Sequence, residues 1–172
     1  MKGKIIMNKK ILKEICLTGM LIALCTILRY VFSFLPNIQP ITAIIILVSL
    51  FISRKISILT SMGLMIITGI ILGFGIWIPL QILGYIIICL GTLLIIKRNI
   101  ILTLTWGIIG SYIYGFVVSL SMLPYIPNNT FISTWILGLP FDTYHAISTF
   151  IFILALYYPF KKVSFMINTW LK

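Results

Sequence analysis

The stretch RYVFSFLPNIQP, residues 29–40, sets an arginine inside an apolar run and then breaks the run with two prolines that bracket Asn37 and Gln39. The sequence around it leaves little choice of environment. Of the 172 residues, 61% are hydrophobic and only 9% are charged, where soluble domains carry roughly 25% charged residues. A water-soluble fold of this length has too little interior to hide that much apolar surface. The runs are long and continuous, without the alternation of barrel strands, so they specify helices. The expected class is an all-α integral membrane protein. A polar kink at the end of a membrane span costs free energy unless something binds there. Residues 29–40 are therefore expected to form one wall of a solute pocket at the outer face.

Outward from that stretch the chain divides into helices and breaks. The first helix is expected over 11–34, following a basic segment at residues 1–10. The segment resembles a signal peptide, but no small-x-small cleavage site follows and further spans do, so a retained first span is expected. Pro36 and Pro40 make a turn, and a second, short helix covers 41–52. A charged turn at 53–55 leads to a third helix over 56–72. The glycine-rich bend GFGIWIP (73–79) precedes a fourth helix over 80–96, and Lys97-Arg98-Asn99 ends it. The fifth helix covers 100–122. Residues 124–130 form a loop, and the apolar stretch 131–139 is short enough to be interfacial or re-entrant. A sixth helix is expected from Pro140, a favourable first-turn residue, to about Tyr158, followed by a basic tail at 161–172. The chain is read as one transmembrane domain, 1–172.

The net charge of +11 is a topology signal. With the N-terminus placed in the cytoplasm, the N-terminal segment, the two charged turns and the C-terminal tail hold five, two, two and three basic residues, twelve of the thirteen. Six helices with both termini cytoplasmic then satisfy the positive-inside rule without exception. The cations are spoken for by the lipid surface, and a nucleic-acid partner is not expected. The thirteenth is Arg29, roughly 7–10 Å inside the outer end of its helix at 1.5 Å per residue. It is either a snorkelling arginine or a pocket residue. Asp142 is the only Asp, expected in the first turn of the sixth helix at the same level, where the helix dipole alone would favour it. If Arg29 pairs with an acid, it pairs with Asp142, because the other acid, Glu14, is at the opposite face. His145 follows Asp142 by three residues and projects from the same helical face.

Other polar side chains collect at that outer level: Asn37, Gln39 and Thr42, then Trp77 and Gln81, then Asn128, Asn129, Trp135 and Tyr144. The aromatic residues also suit an interfacial belt. The amides suit a polar solute without strong charge. Arg29, Asn37, Gln39, Trp77, Gln81, Asp142 and His145 are the candidate binding residues. Small residues at Gly19-x-x-x-Ala23, Gly69-x-x-x-Gly73 and Gly107-x-x-x-Ser111-x-x-x-Gly115 mark close helix packing. Gly19 and Ala23 could also present a flat face to another membrane subunit.

Catalytic signatures are weak. Cys16, Cys25 and Cys89 lie in apolar runs with no CxxC spacing. One histidine and two acids give no metal motif. There is no GxSxG, no phosphate loop and no mid-membrane carboxylate for proton coupling. Neither a catalytic residue nor a cofactor is expected, and a binding protein without its own energy source remains.

Three motifs in order, Arg29 followed by LPNIQPITA (35–43), GFGIWIPLQ (73–81) and FDTYHAIST (141–149) before a basic C-terminus, resemble the S component, the substrate-binding membrane subunit of energy-coupling factor (ECF) vitamin transporters. The resemblance covers nearly the whole chain and is nearest to the branch assigned to cobalamin or its precursors. It implies a bacterial plasma-membrane protein that captures a vitamin at the outer face. It also implies docking on a transmembrane coupling subunit with two ATPase subunits, and solute release inside as the S component topples. Gly19 and Ala23 match the docking motif, usually Ala-x-x-x-Ala. Competing readings are an S component for pantothenate, pyridoxine or a queuosine precursor, an intramembrane enzyme using His145 and Asp142, and an autonomous carrier.

Overall fold

The computed structural model describes residues 9–95, 98–127 and 130–171. The described residues are helical apart from short connections, with no strand among them. Six α-helices follow in order: α1 (Lys9–Val31), α2 (Ile41–Phe51), α3 (Arg54–Leu72), α4 (Trp77–Gly91), α5 (Ile100–Ser119) and α6 (Phe131–Leu171). Short 3-10 turns extend α4 over Thr92–Leu94 and α5 over Leu120–Tyr125. Five of these units are long and apolar enough to cross a membrane. The exception is α2, whose 11 residues reach only about 17 Å at 1.5 Å per residue, roughly half of a hydrocarbon core.

The short helix is the centre of the molecule. Every residue of α2 from Ile41 to Ser49 is buried, and so is Phe51. Around it the long helices pack in the order α1, α3, α4, α5, α6, each against the next, and α2 touches all five. A helix that is apolar all round belongs in such a position. Its two hydroxyls find partners: Thr42 among the side chains at one end, and Ser49 with Thr92 Oγ1 at 2.8 Å at the other. By contrast α1 buries only the stripe Leu17, Leu21 and Cys25, at successive i, i+4 positions, and leaves Ile11, Ile15, Met20, Leu24 and Ile27 exposed.

Several bonds gather the cationic helix ends. Lys55 pairs with Glu14 at 2.9 Å, Lys13 donates to the Trp170 carbonyl at 2.5 Å, Asn168 donates to the Phe51 carbonyl at 2.9 Å, and the Tyr157 hydroxyl donates to the Arg98 carbonyl. The start of α1, the α2–α3 turn, the residues before α5 and the last turns of α6 therefore lie together. Arg29 is at the far end of α1. Residues 1–8 of the basic N-terminal segment, Lys97 and Lys172 lie outside the described residues.

The largest departure from expectation is α6. Residues 131–139, expected as a separate interfacial or re-entrant piece, are the first turns of a single 41-residue helix that runs through Pro140 and Pro159 to Leu171. Neither proline ends it, and the tail expected at 161–172 is helical through Leu171. A proline removes one backbone bond and crowds the preceding turn, a local cost that the packing of α6 against α5 and α2 outweighs. Thr143 Oγ1 donates to the Leu139 carbonyl at 2.8 Å and Asn37 Nδ2 to the Phe141 carbonyl at 3.0 Å. Asp142 is consequently eleven residues into the helix instead of in its first turn. The dipole of a helix N-terminus decays within the first turn and does not account for it. Smaller differences are the end of α1 at Val31 and the start of α4 at Trp77, where Pro79 falls in the first turn.

Candidate binding site

The loop between α1 and α2 folds down onto α6. Asn37 takes a positive φ of 58°, a conformation that Asn tolerates better than most residues, and its amide reaches the Phe141 carbonyl. Two residues later the Gln39 backbone is tied to α6 at both polar groups: its N–H donates to Ser148 Oγ at 3.0 Å, and Ser148 Oγ donates to its carbonyl at 3.1 Å. Those bonds fix the direction in which the second helix enters. The bend before α4 is set by glycine. Gly73 has φ +112°, where a side chain would be strained, and a Cβ on Gly75 would overlap the Trp77 indole. The indole therefore lies across Gly75, with 40% of the residue exposed.

Together these segments enclose one cavity of about 390 Å³, and all seven residues expected at a binding site line it: Arg29, Asn37, Gln39, Trp77, Gln81, Asp142 and His145. These seven residues, spread over 116 positions of sequence (from 29 to 145), thus meet at one end of the bundle. Trp135 lines it too, whereas Thr42 lies below it and Tyr144 points away, half exposed. Asn128 and Asn129, expected at the same level, lie outside the described residues.

The floor is a buried polar chain. His145 Nε2 and Thr42 Oγ1 share a hydrogen bond of 2.7 Å, and Thr42 Oγ1 is 3.3 Å from the Tyr85 hydroxyl. The His145 ring stands edge-to-face on Tyr114, which is in turn tilted against Tyr85. One wall carries Arg29, whose Nη1 donates to Met65 Sδ at 2.8 Å. Arg29 does not pair with Asp142, the acid that shares its level: no salt bridge joins them among the described residues. Asp142 is 8% exposed and sits against α5 at Gly115, where any Cβ would overlap its carboxylate.

The α5 wall was not singled out as a binding surface from sequence. Tyr114, Gly115, Val118, Ser121 and Met122 line the cavity, spaced as one face of a helix. The run that contains them is apolar all round, so only that period, once one member is known, identifies the face. The small residues Gly107, Ser111 and Gly115 do bring α5 against α6: Gly107 faces Ile153 and Thr149, Ser111 Oγ donates to Thr149 Oγ1 at 3.1 Å, and Gly115 faces Asp142.

The hydrogen-bond ledger of the cavity does not close. Five buried side-chain polar atoms lack a partner among the described residues, and three of them belong to residues of this cavity: Gln81 Oε1, Ser121 Oγ and Trp135 Nε1. Each such atom costs about 1–3 kcal/mol. Their concentration on residues of one cavity, beside a carboxylate and a guanidinium, marks this end of the bundle as the candidate site. Gln81→Met should stabilise the empty protein by roughly 1 kcal/mol, seen as a higher thermal midpoint, while weakening solute binding. A lower midpoint with unchanged binding would assign Gln81 a structural part.

The sequence pattern of a family of unknown function (DUF6580) matches residues 9–168, from the start of α1 almost to the end of α6. The chain is a member of the DUF6580 family. No curated protein and no solved structure matches it. In this DUF6580 protein the family pattern spans every element that builds the cavity. It also spans the surface of α1 where Gly19 and Ala23 are exposed. A Cβ on Gly19 would meet open space.

Proposed function

We propose that this DUF6580 protein is the solute-binding subunit of an ECF-type vitamin uptake system. It lies in a bacterial plasma membrane with six helices, α2 included, and with both termini in the cytoplasm. The cavity opens on the outer face, captures a vitamin there, and the loaded protein docks through Gly19 and Ala23 on a transmembrane coupling subunit that carries two ATPases. The observation that supports this best is the cavity itself, where polar residues of 29–40, 73–81 and 141–149, the stretches that carry the resemblance to S components, meet a wall of α5. The exposed small-residue face of α1 agrees with docking. The intramembrane-enzyme reading has less support, because the hydroxyl that meets His145 Nε2 is that of Thr42, which is fully buried and does not line the cavity where a substrate would sit.

The resemblance points to cobalamin or a precursor. The volume favours a second reading within the same class. About 390 Å³ lies in the lower part of the range for small-molecule pockets, and a solute much larger than that would rest partly outside the open mouth. A compact vitamin or micronutrient fits the cavity without opening it.

The test is purification of the tagged full chain from its native membrane. An ATPase-bearing module should accompany it, and uptake by reconstituted vesicles should require ATP together with that module. Solute turnover or transport by the purified chain alone would sink the proposal.

A further inference from the structure

The cavity contains two opposite charges that do not meet. Arg29 comes from α1, which packs on α3, and its guanidinium donates to the thioether of Met65 on that helix. A thioether is a weak acceptor and carries no charge. Asp142 comes from α6, at the other end of the helical arc, and rests against α5 at Gly115. Among the described residues its carboxylate accepts no hydrogen bond and forms no ion pair, although the residue is 8% exposed. The carboxylate opens on the cavity, and a mutual ion pair would have been the simplest way to satisfy both charges. The fold instead keeps the two groups on separate walls. The orphaned acceptor Gln81 Oε1 is on α4, and the orphaned donors Ser121 Oγ and Trp135 Nε1 are on the α5 and α6 side.

From the solute-binding reading given above, on which this step rests, we infer that the bound molecule is amphoteric. It carries an acidic group, carboxylate or phosphate, that sits at Arg29, and a basic nitrogen that sits at Asp142. A guanidinium offers donors only and selects an oxyanion, while a carboxylate offers acceptors only and selects an N–H cation. A solute with both groups neutralises both walls at once. A neutral solute, or one with a single charge, leaves at least one of them without an ionic partner.

The experiment begins with the molecule extracted from the full-length protein purified in mild detergent, identified by mass spectrometry. Two derivatives of it are then made, one methylated at the acid and one acetylated at the nitrogen, and all three are titrated against the wild type, Arg29→Gln and Asp142→Asn. The expected result is an extracted molecule with both groups. Each derivative should bind the wild type at least about tenfold more weakly. Methylation should cost nothing further in Arg29→Gln, and acetylation nothing further in Asp142→Asn. The wild-type titrations decide the matter even if a variant does not fold. A retained molecule with one ionisable group or none, or derivatives that bind as well as the parent, overturns the inference and leaves the solute-binding reading standing. No retained molecule, together with no binding from a panel of free vitamins, overturns both.

Discussion

Gly115→Leu should abolish solute binding, by more than about a hundredfold, or roughly 3 kcal/mol, in a protein that still folds into the same helical bundle. Gly115 is where the carboxylate of Asp142 lies directly on the backbone of α5, so even a methyl group there would overlap it. The side chain added by leucine has two directions available. It displaces Asp142 from the wall, or it enters the cavity that Gly115 lines. Either outcome removes the site. Gly115→Ala should show the first effect alone, with an intermediate loss of about tenfold. Gly138 provides the control, since it lines the same cavity but a Cβ there would have nothing within 4 Å. Gly138→Ala should bind normally. Titration calorimetry on the three purified variants, with circular dichroism to confirm helix content, makes the comparison. Equal affinities for Gly115→Leu and wild type would remove Asp142 and the α5 wall from the site.

Gly19→Leu should have the opposite profile, with solute affinity unchanged and uptake reduced to background. Gly19 lies on the exposed face of α1, well separated along the helix from Arg29, and a Cβ there would meet open space. The fold has no reason to resist the change. A flat face of small residues lets another helix approach closely, and a leucine holds it away. Vesicle uptake with the coupling module present, measured beside binding by the isolated protein, separates the two functions. Normal uptake by this variant would remove the docking surface from the proposal.

How much of this was legible beforehand differs from residue to residue. Arg29 stood out because every other cation had a place at the opposite end, and Asp142 because it had no competitor. A charge in an apolar chain is a loud signal, and the cavity is lined by both residues. The helical period linking Asp142 to His145 was equally readable. Pro140 misled because its preference for a first turn is a local rule. The helix continues through it because the packing of α6 against α5 and α2 outweighs a single missing donor. The role of α2 was hidden for a different reason: an 11-residue apolar run looks the same whether it is a truncated span or a buried core, and only the arrangement of the other helices distinguishes them. Tyr114 and Ser121 sat in an apolar run with no polar stripe to give them a direction.

The burial of α2 has a consequence for biogenesis. Its Thr42 hydroxyl waits for His145, about a hundred residues further along the chain, and its Ser49 for Thr92. Until α4 and α6 have been made, a helix about half as long as the bilayer is thick has neither the length to span it nor partners for its hydroxyls. On the membrane topology proposed above, insertion would not proceed span by span with each helix settled before the next is translated. The second helix must be held provisionally and take its final place only when the last one arrives, so a ribosome stalled before α6 would leave in the membrane a product that quality-control proteases can recognise by its unfinished centre.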